Sequence, residues 1–179
     1  MIYTTNYESP VGKILLAAKN NAIVGLFIEG QKYFLAALRE DMTDNGEIPV
    51  FKQAKNWLDR YFAGEKPSVK ELPLAPEGSD FRKAVWQILC DIPYGKTIAY
   101  SDIAKKIAVN YGIERMSAQA VGGAVGHNPV SIIIPCHRVV GKNGSLTGYA
   151  GGIEIKKKLL ILEGADMSVL YEPDNGTAL

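Results

Sequence analysis

The chain predicts an α+β protein in two parts, and three observations carry that expectation. The first half alternates short apolar runs with turn signals before changing to helical spacing. A stretch without period, Ser68 to Gly78, then interrupts with Pro73 and Pro76. The second half is dominated by segments of helical spacing. The expected division is a small mixed α/β support domain over 1–75, a mostly helical domain over 76–170, and a loosely ordered tail over 171–179.

In the first half, Ile2 to Tyr7 is extended in composition and Ser9-Pro10-Val11-Gly12 is a turn. Lys13 to Ala18 and Ala22 to Ile28 flank Lys19-Asn20-Asn21, which predicts a hairpin. Phe34, Leu35, Ala37 and Leu38 suggest a short helix, and Thr43 to Gly46 a loop. Phe51, Ala54, Trp57, Leu58, Tyr61 and Phe62 recur at helical spacing behind Pro49. Proline has a fixed φ suited to a helix start, while Gly64 and Pro67 end this one. This half carries no catalytic constellation.

The second half opens with a helix capped by Ser79 and lined by Phe81, Val85, Ile88 and Leu89. Cys90 falls late in it and reads as packing. Pro93-Tyr94-Gly95 stops it. Ser101 is expected to cap the next helix, with Ile103, Ala104, Ile107 and Ala108 on one side. After Asn110-Tyr111-Gly112, Ser117 begins a helix that ends near Gly126. Two short helices joined by a glycine-containing loop suggest a helix-turn-helix. The second is rich in small residues, among them Ala118, Ala120, Gly122, Gly123 and Ala124. A glycine costs about 1 kcal/mol inside a helix. Either a partner approaches this backbone closely or the helix packs tightly within the protein, and the residues alone leave both open.

Ile132-Ile133-Ile134 has the composition of a strand buried on both faces, expected to end at Pro135, which cannot donate to a ladder. Asn143-Gly144 predicts a hairpin turn between Val139-Val140 and Ser145-Leu146. Gly148 to Gly152 is a flexible loop that covers a pocket or merely connects. Glu154 to Glu163 reads as the last helix, stopped by Gly164. Glu163 then lies where the helix dipole disfavours an anion by ~0.3–1 kcal/mol. A buried basic partner would account for it; an exposed, misplaced glutamate is the alternative. Lys156 to Lys158, near the start, are also the wrong way round for the dipole.

The 179 residues, 47% hydrophobic and 22% charged, fit an ordinary globular protein able to bury a core. A net charge of +1 gives no global pull toward nucleic acid, so any DNA contact must come from a local patch. Two cysteines are no disulfide framework and favour a reducing compartment. The start of the chain lacks a signal-peptide pattern, and no apolar run approaches the ~20 residues of a membrane span. A cytoplasmic monomer is expected.

Cys136 sits beside His137 and Arg138. A thiol attacks as its thiolate, which a nearby cation or imidazole favours. Cys136 is thus an activated nucleophile or a plain core cysteine, and the residues alone leave the two evenly matched.

Pro135-Cys136-His137-Arg138 resembles the acceptor-site motif of the O6-alkylguanine-DNA alkyltransferases. The resemblance runs from about Phe81 to Gly164 and takes in Gly122-Gly123-Ala124, Asn128-Pro129-Val130, Tyr149-Ala150-Gly151-Gly152 and Leu162-Glu163-Gly164, in order. It implies a ribonuclease H-like first domain and a winged-helix-like second one. It implies a target base flipped from double-stranded DNA into a pocket and a single irreversible transfer of its alkyl group to Cys136, from O6-alkylguanine, with O4-alkylthymine a second candidate lesion. His137 would act as base through a water, Glu163 would orient it, and Asn128 would tie the turn before the active site. Tyr100, the backbone of Val139, Tyr149, Ala150 and Gly151 would form the pocket. Ser117, Ala118, Gln119 and Gly122 would meet the minor groove. No cofactor and no metal are implied.

The sequence departs from the family in two places. Gln119 stands where many members carry an arginine that fills the gap in the base stack, and it lacks that residue's charge and plane. Ala150 stands where some carry a serine. Three alternatives remain: a non-catalytic sensor of alkylated bases, a cysteine hydrolase, and a zinc site from Cys90, His127, Cys136 and His137. The last lacks the paired cysteine spacing of structural zinc sites.

Overall fold

The computed structural model describes residues 1–33, 38 and 40–174. The helix expected at Phe34, Leu35 and Ala37 lies outside the described residues, as does the end of the expected tail. The chain divides into two compact units: Met1–Glu77 with Pro129–Ile133, and Gly78–Asn128 with Ile134–Leu179.

The first unit is a four-stranded sheet covered by a helix. Strands β1 (Ile2–Ser9), β2 (Gly12–Lys19) and β3 (Ala22–Ile28) form an antiparallel meander, and β4 (Met42–Asp44) adds in parallel beside β1, giving the order β3-β2-β1-β4. The β2–β3 turn is the expected one: Asn20 and Asn21 both take left-handed φ, 51° and 57°, which asparagine tolerates best after glycine. β4 replaces the loop expected over Thr43 to Gly46. Its three residues are all exposed, so no apolar pattern marks it. Helix α1 (Pro49–Phe62) turns Val50, Phe51, Ala54, Trp57, Leu58 and Tyr61 inward, against β1 to β3.

The stretch without period, Ser68 to Gly78, is pinned at several points. Ser68 and Glu71 close a capping box around a 3-10 turn. Farther on, Ile23 donates to the Pro73 carbonyl at 2.8 Å, and Ala75 donates back to Ile23 at 2.8 Å. The free edge of β3 is met a second time. Leu26 donates to Pro129 at 2.8 Å and Ser131 donates to Leu26 at 3.1 Å. Backbone groups on a sheet edge need such partners when water is excluded.

The strand expected over Ile132 to Ile134 is absent. The segment is buried, but it forms turns: Ile132 has φ +69°, and Ile133 and Cys136 donate to carbonyls only two residues back. A β-branched run reports burial; it does not report a ladder.

The second unit holds helices α2 (Asp80–Cys90), α3 (Tyr100–Tyr111), α4 (Ala118–Gly126) and α5 (Ile153–Leu162), with a short parallel pair of strands, β5 (Ile98–Ala99) and β6 (Val139–Val140). The whole is therefore mixed α/β, with a four-stranded sheet and five α-helices among the described residues. The Ser79 and Ser117 oxygens cap α2 and α4 as expected, accepting from the Arg82 and Ala120 amides. Ser101 does not cap α3. The chain runs from β5 directly into the helix, Ala99 takes the cap position without a side-chain bond, and Ser101 is exposed.

Helices α2, α3 and α4 pack through Val85, Trp86, Leu89, Ile103, Ile107, Val121 and Val125, all buried. The Trp86 indole donates to the Ala124 carbonyl at 2.9 Å. Asn143 and Gly144 make the expected left-handed turn, φ 59° and 88°. No hairpin ladder flanks them. β6 pairs with β5 instead, and Ser145 bridges Tyr171, so Tyr171, expected in the loose tail, is tied down.

Candidate active site

Cys136 opens a 3-10 turn, Cys136–Arg138, that leads from Pro135 into β6. All ten residues from Ser131 to Val140 are buried. Asn128, two residues beyond the end of α4, fixes the turn. Its side-chain amide donates to the Ile134 carbonyl at 2.8 Å and to Cys136 Sγ at 3.1 Å. Burial pushes the Cys136 thiol up; the Asn128 bond, the Lys156 charge and the backbone amides of Cys136 and His137 pull the other way without prevailing. At rest this is a protonated thiol in a cradle that already stabilises a thiolate, so it needs a base.

His137 stands behind it. Its Nε2 lies 2.6 Å from Glu163 Oε1, with neither side chain exposed. Burial lowers the imidazole's affinity for a proton, and the neighbouring Arg138 and Lys156 charges add to this; Glu163 opposes them. The net direction follows burial, which outweighs the pull of Glu163, a carboxylate that Arg138 already pairs. A neutral imidazole that donates through Nε2 carries its lone pair on Nδ1.

Glu163 is the hub. Oε1 accepts from His137 and from Arg138 Nη2 at 3.0 Å; Oε2 accepts from Arg138 Nε at 2.8 Å and from the Gly95 amide at 3.0 Å. Burial alone would raise its pKa, but the bonds and charges of His137 and Arg138 outweigh burial and hold the carboxyl well below the usual carboxylate range. The buried basic partner that its place at the end of α5 called for is Arg138. Arg138 in turn donates to the Ile92 carbonyl at 2.5 Å and lies 5.6 Å over the Tyr94 ring. Gly95 is required here: its φ is +74°, and a Cβ would come within 2.6 Å of the Glu163 carbonyl.

Lys156 belongs to the same cluster, and sequence reasoning missed it. It is fully buried, donates to the Val139 carbonyl at 2.5 Å and to the Thr147 carbonyl at 2.7 Å, and burial brings its pKa down to about 8. Within a run of three lysines, only the tertiary structure selects the one that turns inward. Tyr100 shares one of its partners, donating to the Thr147 carbonyl at 3.2 Å. Of the Val139 backbone, expected to form part of the pocket, the carbonyl accepts from Lys156. Tyr149 is buried edge-on to His137, ring centroids 6.4 Å apart, and Ala150 and Gly151 beside it are half-buried.

Ser117, Ala118 and Gln119 lie exposed at the start of α4, with Ala120 and Gly123. Gly122 turns inward and is buried; the outward glycine is Gly123. The small residues of α4 thus divide between the two faces: Gly122 and Ala124 are buried in the packing, and Ala118, Ala120 and Gly123 face outward. Among the described residues, no group of three or more His, Cys, Asp or Glu side chains gathers as a metal site, and no helix is long and apolar enough to cross a membrane.

A sheet-and-helix unit followed by a helical unit holding a thiol backed by imidazole and carboxylate defines a protein built around a cysteine nucleophile. The comparisons specify which. The family described as 6-O-methylguanine DNA methyltransferase matches twice, its ribonuclease-like domain over residues 2–76 and its DNA binding domain over residues 80–165. The methylated-DNA–protein-cysteine methyltransferase of Haemophilus influenzae is 41% identical over 162 residues, covering 90% of this chain and 86% of that protein. That of Methanosarcina barkeri is 46% identical over 163 residues, covering 90% and 97%. The crystal structure of Mycobacterium tuberculosis OGT in complex with DNA superposes with a TM-score of 0.77 at 40% identity, covering 90% of this chain and 92% of that one. The chain belongs to the 6-O-methylguanine DNA methyltransferase family.

Proposed function

We propose that this protein repairs double-stranded DNA by moving the alkyl group of O6-alkylguanine, directly and irreversibly, onto Cys136. The observation that carries the reading is a buried Cys136 bonded by Asn128, next in sequence to a buried His137 that Glu163 and Arg138 hold. It supplies a nucleophile with stabilising donors, a base beside it and a carboxylate that orients the base.

The thiol proton passes through a water to His137, whose charge Glu163 stabilises. The Cys136 sulfur then displaces the base: an S–C bond forms, the C–O6 bond breaks, and its electron pair stays on the purine, which takes up a proton. Tyr100 would assist that departure. Its hydrogen now serves Thr147, but Lys156 also serves that carbonyl, so Tyr100 can turn to the purine without stranding a buried acceptor. Freeing the sulfur again would require a thiolate to leave the alkyl carbon, which it does poorly, so each molecule acts once.

A base inside the stack cannot present O6 to a buried sulfur, so the base is flipped out. The helix-turn-helix of α3 and α4 would enter the minor groove with its exposed small-residue face, Ala118, Ala120 and Gly123, while Gln119 enters the emptied stack. The first unit, over about 1–75 and ribonuclease H-like, supports the second.

The test is intact mass after incubation with a short duplex holding one O6-methylguanine. One added methyl group, mapped to the Cys136 peptide and lost in Cys136→Ala, is expected. A damaged duplex that binds while the wild-type mass stays unchanged would leave a sensor of alkylated bases instead.

A further inference from the structure

Tyr149 is a buried phenol whose ring is expected to wall the pocket and whose hydroxyl has no part in the reaction above. The residue is 7% exposed, and its Oη meets no hydrogen-bond partner among the described residues. Buried polar atoms are nearly always satisfied, by protein or by ordered water. A phenylalanine here would line a pocket equally well without burying a hydroxyl, so the oxygen requires its own explanation.

The ring does not float. A Cβ at position 151 would come within 2.8 Å of Tyr149 Cε1, so Gly151 lets the loop close directly onto the ring. On the other side the imidazole of His137 meets it edge-on, at an interplanar angle of 81°. Burial, followed by the charges of Cys136 and Glu163, holds the phenol well above its ordinary pKa. It therefore stays protonated and both donates and accepts, and it lies within electrostatic reach of both ends of the nucleophile–base–carboxylate chain.

That chain has a gap to cross. Cys136 and His137 are sequence neighbours, and Nε2 of the imidazole is taken up by Glu163, so the basic atom is Nδ1. A water bridging sulfur and Nδ1 has two partners there. An ordered buried water ordinarily has about three. We propose that the Tyr149 hydroxyl is the third, a positioning group that holds the water through which the Cys136 proton reaches His137. The proton leaves sulfur for the water oxygen while the water passes a proton to Nδ1. Tyr149 itself is unchanged and nothing is oxidised or reduced. The inference rests on the proton path of the proposed alkyl transfer, but not on the identity of the substrate.

Tyr149→Phe tests it, because it removes one oxygen and leaves the ring. The readout is the pH profile of Cys136 alkylation by iodoacetamide without DNA, followed on the Cys136 peptide so that Cys90 is counted apart. Single-turnover methyl transfer from an O6-methylguanine duplex is measured beside it. A base path is worth about 10²–10⁴-fold, and loss of one of three contacts to its water is expected to slow both reactions at pH 7 by roughly tenfold. The alkylation profile should move to higher pH, while thermal midpoint and duplex affinity hold. A wild-type alkylation profile in Tyr149→Phe overturns the inference, and so does slowing confined to the DNA reaction, which would make the hydroxyl a contact to the flipped base. If the wild-type protein alkylates normally with iodoacetamide yet takes no methyl from DNA, the proposed function fails while the inference is still decided by the thiol profile.

Discussion

Arg138→Met removes the cation that keeps Glu163 ionised, and the structure sets both its size and its pH signature. Arg138 gives Glu163 two bonds, at 2.8 and 3.0 Å, and the carboxylate is 5% exposed. Removing one partner of a buried pair costs about 3–5 kcal/mol. For a chain of this length each kcal/mol lowers the thermal midpoint by roughly 2–4 °C, so the loss should be on the order of 10 °C. The remaining cation available to Glu163 is then His137, so its pKa should rise from below to above the unfolded value of about 6.5. In the wild type, the unfolded state binds the extra proton once pH falls below about 6.5, and acid therefore destabilises. In Arg138→Met the folded state binds it first, from above about 6.5, and acid stabilises. The gap between the two proteins should close as pH falls from 7.5 to 5.5, by at most about 1.4 kcal/mol per pH unit. Urea unfolding at each pH measures the gap, and the His137 ring titrated by NMR gives its cause. A gap that stays constant over this range, or a midpoint loss of under 2 °C, would refute the assignment of Arg138 as the counter-charge.

Two further outcomes follow from the same cluster. Asn128→Ala strips a donor from Cys136 Sγ and another from the Ile134 carbonyl; it should cost about 1–3 kcal/mol in urea unfolding and move the iodoacetamide profile of Cys136 to higher pH, and an unshifted profile would show that the amide holds only the backbone. Lys156→Met trades a buried ammonium for an apolar chain. Lys156 has a folded pKa of about 8 against 10.5 when free, so the unfolded wild type binds more protons between those values, and the wild type should gain stability relative to the variant as pH rises through that window, by at most about 3 kcal/mol. A stability difference that is flat from pH 8 to 10.5 would mean that burial leaves the ammonium unperturbed.

What the sequence made legible was local, or was a local rule broken. Asn20-Asn21, Pro49, Ser79 and Ser117 each act within a few residues, and the turn, helix start and caps they mark are present. Ile132 to Ile134 failed because their composition measures burial, and burial was satisfied by turns. Gly122 and Gly123 differ by one helical step of about 100°, too fine for a motif to say which turns inward. Lys156 was hidden by its neighbours, since a lysine run reads as solvated until the fold selects one member. The broken rules said more. Glu163 sits at the helix end that repels anions, and Lys156 near the end that repels cations; both prove to be buried, Glu163 against His137 and Arg138, and Lys156 against the Val139 and Thr147 carbonyls with its charge acting on Cys136. A chain keeps such misplacements where another demand outweighs helix stability, and here that demand is a carboxylate and an ammonium fixed beside a thiol. Charges that contradict their own helix were therefore the sharper pointers to the site, ahead of composition and ahead of the apolar run that precedes the cysteine.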